Sequence, residues 1–395
     1  MATFVAAAFA AGCGPVPSAD DGTDGYLGSA TCESCHRDLG TLNALHGHRQ
    51  ALKSIQGAPP AYPDAADRAG VPSPPAGISW PEVGWVVGGY TRGANYVDIQ
   101  GYLLTDGVLG THAQYNLYNA PAKLPAGFVA YRPSQAAPLP FEYGCFRCHT
   151  TAPEWVDTNG GQRQNNRPGV GGTWVEDGVG CEACHGPGAL HVANPWAGNI
   201  VVDSSATVCG QCHVDAEDPS RLAAAGGFVR GYQQYTELAA SPHAGFDCNV
   251  CHDPHASTVY DPSHGVRNQC LVCHAEQNLA RHSGRTFVLG DYVEIITCQS
   301  CQMPFASKTA SSNTFDVFGD TGGVGDARTH VFAINTVLGL SMFTPDGSAV
   351  ALDEDGKAAV TLDFVCLRCH NGRGSAFALT MDAASSIARG IHDPP

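Results

Sequence analysis

The chain has 395 residues and a formal charge of −16 with its histidines neutral, an acidity that argues against a nucleic-acid or other phosphate partner. Its 47 glycines and 26 prolines exclude long uninterrupted helices and broad sheets. Beyond the first residues, no run is long and apolar enough to span a membrane.

Residues 3 to 10 are apolar and lead into Ala10-Ala11-Gly12-Cys13, which resembles a lipoprotein cleavage box with Cys13 as the lipidated residue, although no Lys or Arg precedes the run. Residues 1–13 are expected to be a signal and 14–25, rich in Gly, Pro, Ser and Asp, a linker. Next comes Cys32-Glu33-Ser34-Cys35-His36, the first of seven Cys-x-x-Cys-His sequences. The others pair Cys145 and Cys148 with His149, Cys181 and Cys184 with His185, and Cys209 and Cys212 with His213. They continue with Cys248 and Cys251 before His252, Cys270 and Cys273 before His274, and Cys366 and Cys369 before His370. A lone Cys-x-x-Cys is as readily a disulfide, a redox pair or half a zinc site. Repeated seven times with His following at once, it is the attachment site of a c-type haem: two thiols form thioethers and the His ligates the iron. Seven haems are expected. Covalent haem attachment takes place outside the cytoplasm, so the chain is expected in the periplasm, as an outer-membrane lipoprotein or at the cell surface.

Residues 26–140 hold the first site and a β-rich insertion. A short helix after His36 is expected to carry His46 and His48, followed by a Pro- and Ala-rich loop over 57–77. From Trp80 to Gly107, aromatic and branched residues broken by Gly predict β-hairpins, with Asp106-Gly107 as a turn. Residues 141–310 form the compact core. Spacings of 36, 28, 39, 22 and 28 residues between first cysteines, from Cys145 to Cys298, leave room for little more than one helix between sites. Cys298-Gln299-Ser300-Cys301 is followed by Gln302 instead of His. The iron there takes Gln302, Met303 or a distant His, or the site is degenerate and holds no haem. In residues 311–395, Ser341 to Phe364 predict a hairpin and Ala376 to Gly390 have helical composition, ending in His392. The fold class expected is a mainly irregular and α protein, with short helices and loops around a stacked haem array and small β-hairpin insertions.

Gly180 to Gly188 with His191 resembles the haem site of the tetrahaem cytochromes c linked to hydroxylamine oxidation, where the His after Gly-Pro-Gly is a distal ligand. Ser241-Pro242-His243, Cys251-His252-Asp253-Pro254-His255, and Gly28 to His48 resemble the wider multihaem respiratory cytochromes c, octahaem proteins among them. Asp326-Ala327-Arg328-Thr329-His330 followed by Phe332 fits a distal-ligand segment of that group, and Cys298 to Pro304 resembles its Cys-x-x-Cys-His-Met-Pro site with Gln302 in place of His. The resemblance implies bis-His ligation, with His48, His191, His243, His255, His282, His330 and His392 as distal ligands and His46, His112 and His264 as spares. It further implies a carrier of electrons through closely packed haems, working with redox protein partners. The alternatives are an octahaem-type reductase of a small nitrogen or sulfur oxyanion, and a subunit of an extracellular cytochrome filament. His255 follows His252 by three residues with Pro254 between them, so it is expected to serve a different haem.

Overall fold

The computed structural model describes residues 25–215, 218–310 and 323–389, so Cys13, the expected signal and His392 lie outside the described residues. Within them the α-helices run from four to eight residues. In chain order they are α1 (Ser29–Cys35), α2 (Arg37–Ala44), α3 (Asp106–Leu109), α4 (Tyr143–Phe146), α5 (Cys181–His185) and α6 (Ala189–Ala193). There follow α7 (Ala206–Gly210), α8 (Gln234–Ala239), α9 (Pro262–Gly265), α10 (Cys298–Gln302) and α11 (Met381–Ala388). Gly110 and Gly186, with φ of 69° and 70°, take the positive dihedral at which a side chain would be strained and so end α3 and α5.

Each attachment sequence winds into one helical turn. The backbone N–H of the motif His donates to the carbonyl of the first cysteine, four residues back, at 2.9 Å for His36, His213, His274 and His370 and at 3.0 Å for His252. Positions i, i+3 and i+4 of such a turn share a face, so both thiols and the imidazole are presented on one side.

The β-rich insertion is larger than the small hairpins expected. β1 (Leu52–Ser54), β2 (Val83–Gly88), β3 (Gly93–Asp98), β4 (Tyr102–Leu103), β5 (Gln114–Asn116), β6 (Gly127–Val129) and β7 (Leu139–Pro140) form one seven-stranded sheet. Its order is β1-β2-β3-β4-β7, with β5 on β3 and β6 on β5. β2 and β3 make the expected hairpin, but Asp106 and Gly107 open α3 and form no hairpin turn. The reason is the Asp106 carboxylate, which accepts from the backbone of Ala113 and Tyr131 at 2.9 Å each and so gathers two loops. One face of the sheet is tied to the second attachment site: Leu52, Trp85, Val97 and Leu103 pack with Phe141, Phe146 of α4, Val170 and Trp174.

A second core joins Leu222, Phe228, Val229, Val331, Met342, Val350, Val360 and Phe364. The expected Ser341–Phe364 hairpin is only partly formed. Thr344 donates to Ala349 at 2.9 Å in a tight turn, but Val360–Thr361 leaves to pair in parallel with Ile334–Asn335. Among the described residues no helix is long and apolar enough to cross a membrane.

Candidate functional site

The attachment turns open into one continuous cavity of about 4240 Å³, lined by both cysteines and the His of all seven complete motifs. That is about 600 Å³ for each complete motif, inside the roughly 300–1,000 Å³ of a pocket for one organic ligand. His46, His48, His191, His243, His255, His282 and His330 line the same space. His112 and His264 do not, and each turns its Nδ1 to a carboxylate on the exposed surface, Asp106 at 2.9 Å and Asp261 at 2.8 Å.

Six motif histidines face a second imidazole. Ring centroids are 6.2 Å apart for His36 and His191, 6.1 Å for His185 and His255, and 5.8 Å for His213 and His48. They are 6.1 Å apart for His252 and His330, 5.9 Å for His274 and His243, and 6.0 Å for His370 and His282. A metal–imidazole bond is about 2 Å and the ring centroid lies about 1 Å behind its nitrogen, so two imidazoles on opposite faces of one iron have centroids about 6 Å apart. The cavity therefore fits haem at these positions by an observation independent of the motif. His149 is the motif histidine with no such ring opposite it among the described residues.

Hydrogen bonds set the tautomers. Nδ1 of His149, His185, His252 and His370 lies 3.2, 2.7, 3.3 and 2.8 Å from the backbone carbonyls of Ala51, Val201, Gly265 and Phe377. A carbonyl only accepts, so Nδ1 carries the hydrogen and Nε2 keeps the lone pair a metal needs. His213 is held likewise by Gln234 at 2.8 Å. His46 is committed the other way: its Nδ1 accepts from the backbone N–H of His48 at 3.1 Å, which places its hydrogen on Nε2. Burial pushes His330 down to about 3, with His252 adding to it, and holds His48 well below the ordinary range. Burial likewise lowers His149, His243, His252 and His282. Each is thus kept neutral, the form that ligates.

Buried acids without a sequence signature hold these segments in place. Glu182, beside Cys181 and 3% exposed, accepts from the backbone of Gly28 and Gly188 at 2.7 Å each and of Leu27 at 3.0 Å, joining the first and third sites. Glu237 accepts from Thr329 Oγ1 at 2.7 Å and from the backbone N–H of His330. Nothing in the local sequence marks these two acids; only the long-range contacts reveal them.

Neighbouring sites touch through their sulfurs. Cys32 meets Cys181, Cys148 meets Cys212, Cys209 meets Cys248, and Cys270 meets Cys298. Cys184 and Cys209, Cys251 and Cys273, and Cys301 and Cys366 lie within electrostatic reach of each other. These pairs link neighbouring sites in sequence order, apart from the Cys145 site, which is linked to the Cys209 site.

A search of curated protein sequences returns no match. The family model for cytochrome c554 and c-prime matches residues 132–186, which span the second and third attachment sequences. Among solved structures, the octahaem sulfite reductase MccA of Wolinella succinogenes is similar over 93% of this chain and 67% of its own, with 15% identity and a TM-score of 0.54. The outer cell wall cytochrome OcwA aligns over 92% of this chain and 86% of its own at 16% identity, with a TM-score of 0.46. An undecahaem cytochrome from the S-layer of Carboxydothermus ferrireducens aligns over 77% and 49% at 17% identity, with a TM-score of 0.38. The comparisons thus show a local similarity to the cytochrome c554 and c-prime family over the second and third attachment sequences, and a fold similar to that of an octahaem sulfite reductase.

Proposed function

We propose that the chain carries electrons along a line of bis-His haems in extracytoplasmic respiration. The observation that carries this is the set of six imidazole pairs at 5.8–6.2 Å, each joining a motif His to one from another part of the chain. The motif cysteines would hold each haem, Cys35 once freed from the disulfide it forms here, and the distal ligands would be His191, His255, His48, His330, His243 and His282 for the irons of His36, His185, His213, His252, His274 and His370. His392 is the seventh by elimination, for His149. Haem, when bound, supplies an iron that exchanges one electron between two oxidation states. Two imidazoles from the protein would leave no place on such an iron for a substrate and would keep its surroundings nearly constant between the two states. Buried Nδ1–H donors set how basic each ligand is and so spread the potentials. The acidic surface suits a basic redox partner.

The carrier reading is tested by adding carbon monoxide to the reduced protein. The Soret band of the bulk of the haem stays unchanged if both axial positions are filled, and a shift of most of it would end the reading. A second reading rests on His149. Among the described residues no imidazole faces His149; should His392 not serve it, that iron would be open, and with a fold like that of an octahaem sulfite reductase the chain would reduce a small oxyanion. Consumption of sulfite or nitrite with reduced viologen as donor would favour it.

A further inference from the structure

Cys298 opens α10 and Cys301 is its fourth residue, in a five-residue turn like α5, with Gln302 standing where α5 has His185. Its thiols continue a pattern. Wherever thiols of two complete sites touch, like positions meet: first with first at Cys32 and Cys181 and at Cys209 and Cys248, second with second at Cys148 and Cys212. Cys270 and Cys298 are again first with first. At its other end α10 packs against the helical turn Asp363–Leu367, which brings Cys301 beside Cys366 and Cys369. Cys298, Cys301, Gln302 and Met303 line the same cavity as the complete motifs.

The turn is also firmly anchored from outside. Arg328 donates to the carbonyls of Gln299 and Met303 at 3.0 and 2.9 Å, and Arg368 donates to that of Ser300 at 3.2 Å. Both guanidiniums pair with buried Glu294, at 2.9 and 2.6 Å. Burying such charges is costly unless they are paired and hydrogen-bonded, so the arrangement fixes where α10 presents its two thiols. Among the described residues no cluster of three or more His, Cys, Asp or Glu that could hold a metal ion is found.

We propose that Cys298 and Cys301 hold an eighth covalent haem, whose iron receives no histidine from its own attachment sequence. Each thiol adds across a vinyl double bond: sulfur bonds to one carbon, the thiol proton ends on the other, and no electron is gained or lost overall. The amide oxygen of Gln302 and the thioether of Met303 are the donors beside that iron, and both bind it more weakly than imidazole does. The site therefore sits between the Cys270 and Cys366 sites as a weakly ligated iron that takes an exogenous small ligand.

This rests on the complete motifs being haem sites, and peptide mass mapping of the full-length chain keeps the two claims apart. The expected result is one haem on the peptide containing Cys298 and Cys301, eight on the intact chain, and conversion of one iron from high to low spin in Gln302→His. A peptide with both thiols alkylated, or joined as a disulfide, overturns the proposal while seven haems elsewhere leave the carrier reading standing. If complete-motif peptides also lack haem, both fall together.

Discussion

At the scale of single residues, charges and ligands have separable consequences. Burial alone would raise Glu294, but Arg368 and Arg328 more than offset it and hold the carboxyl down at about 2. A depressed carboxyl stabilises the fold above its unfolded value, and that stability is lost as pH falls through the folded value. Its share is therefore complete above about pH 4.5 and disappears toward pH 2. Glu294→Gln leaves Arg368, whose side chain is 3% exposed, without its counter-charge. It is expected to destabilise the protein by about 3–5 kcal/mol at neutral pH, read as a lower thermal midpoint, and to flatten acid sensitivity between pH 4.5 and 2. An unchanged midpoint would mean the pair is solvated in solution. His255 gives a redox test: its ring lies parallel to that of His185, at 4° and 6.1 Å, while Asp253 accepts from its Nδ1 at 3.0 Å. His255→Met should keep every haem attached and raise one potential by on the order of 100 mV. A redox titration with no potential moved would remove His255 from the ligand set.

Elements bring the distal histidines to their places, and here the strap from Asp326 to Phe332 is the clearest case. Asp326 accepts from Thr309 and Ala310 at 2.8 and 2.9 Å, Glu237 holds Thr329 and His330, and Phe332 packs edge-on against His243 at 4.6 Å and His330 at 6.0 Å. Phe332 has φ of 61°, unusual for a residue with a side chain and a local cost sustained by this packing. Glu237→Ala should leave the Ser307, Thr329 and His330 donors without this acceptor and cost about 2–4 kcal/mol, with loss of one low-spin signal, while Glu237→Gln, which keeps an acceptor, restores most of both. Attachment turns were legible in the sequence because Cys-x-x-Cys-His is local, and its i, i+3, i+4 spacing already places three groups on one face. Which histidine faces which iron was less so: His36 meets His191 and His252 meets His330 through contacts between distant segments that no local spacing encodes. The seven-stranded sheet was missed for a similar reason, since β4 to β7 have two or three residues each and show no alternation.

For the whole molecule, the charge of −16 bears on the proposed carrier role, since an acidic body would guide a basic donor toward it. Reduction by a basic redox protein should slow steeply as ionic strength rises, because exposed charges are screened over about 10 Å at 0.1 M salt; a rate indifferent to salt would mean docking through apolar contacts. The central claim is that paired imidazoles saturate most of the irons. Low-temperature electron paramagnetic resonance of the oxidised full-length protein tests it most directly. Low-spin ferric signals accounting for at least six irons per chain are expected from the six pairs, with any high-spin signal confined to the His149 and Gln302 positions. A spectrum in which high-spin iron predominates would contradict the ligand assignment and the carrier function with it.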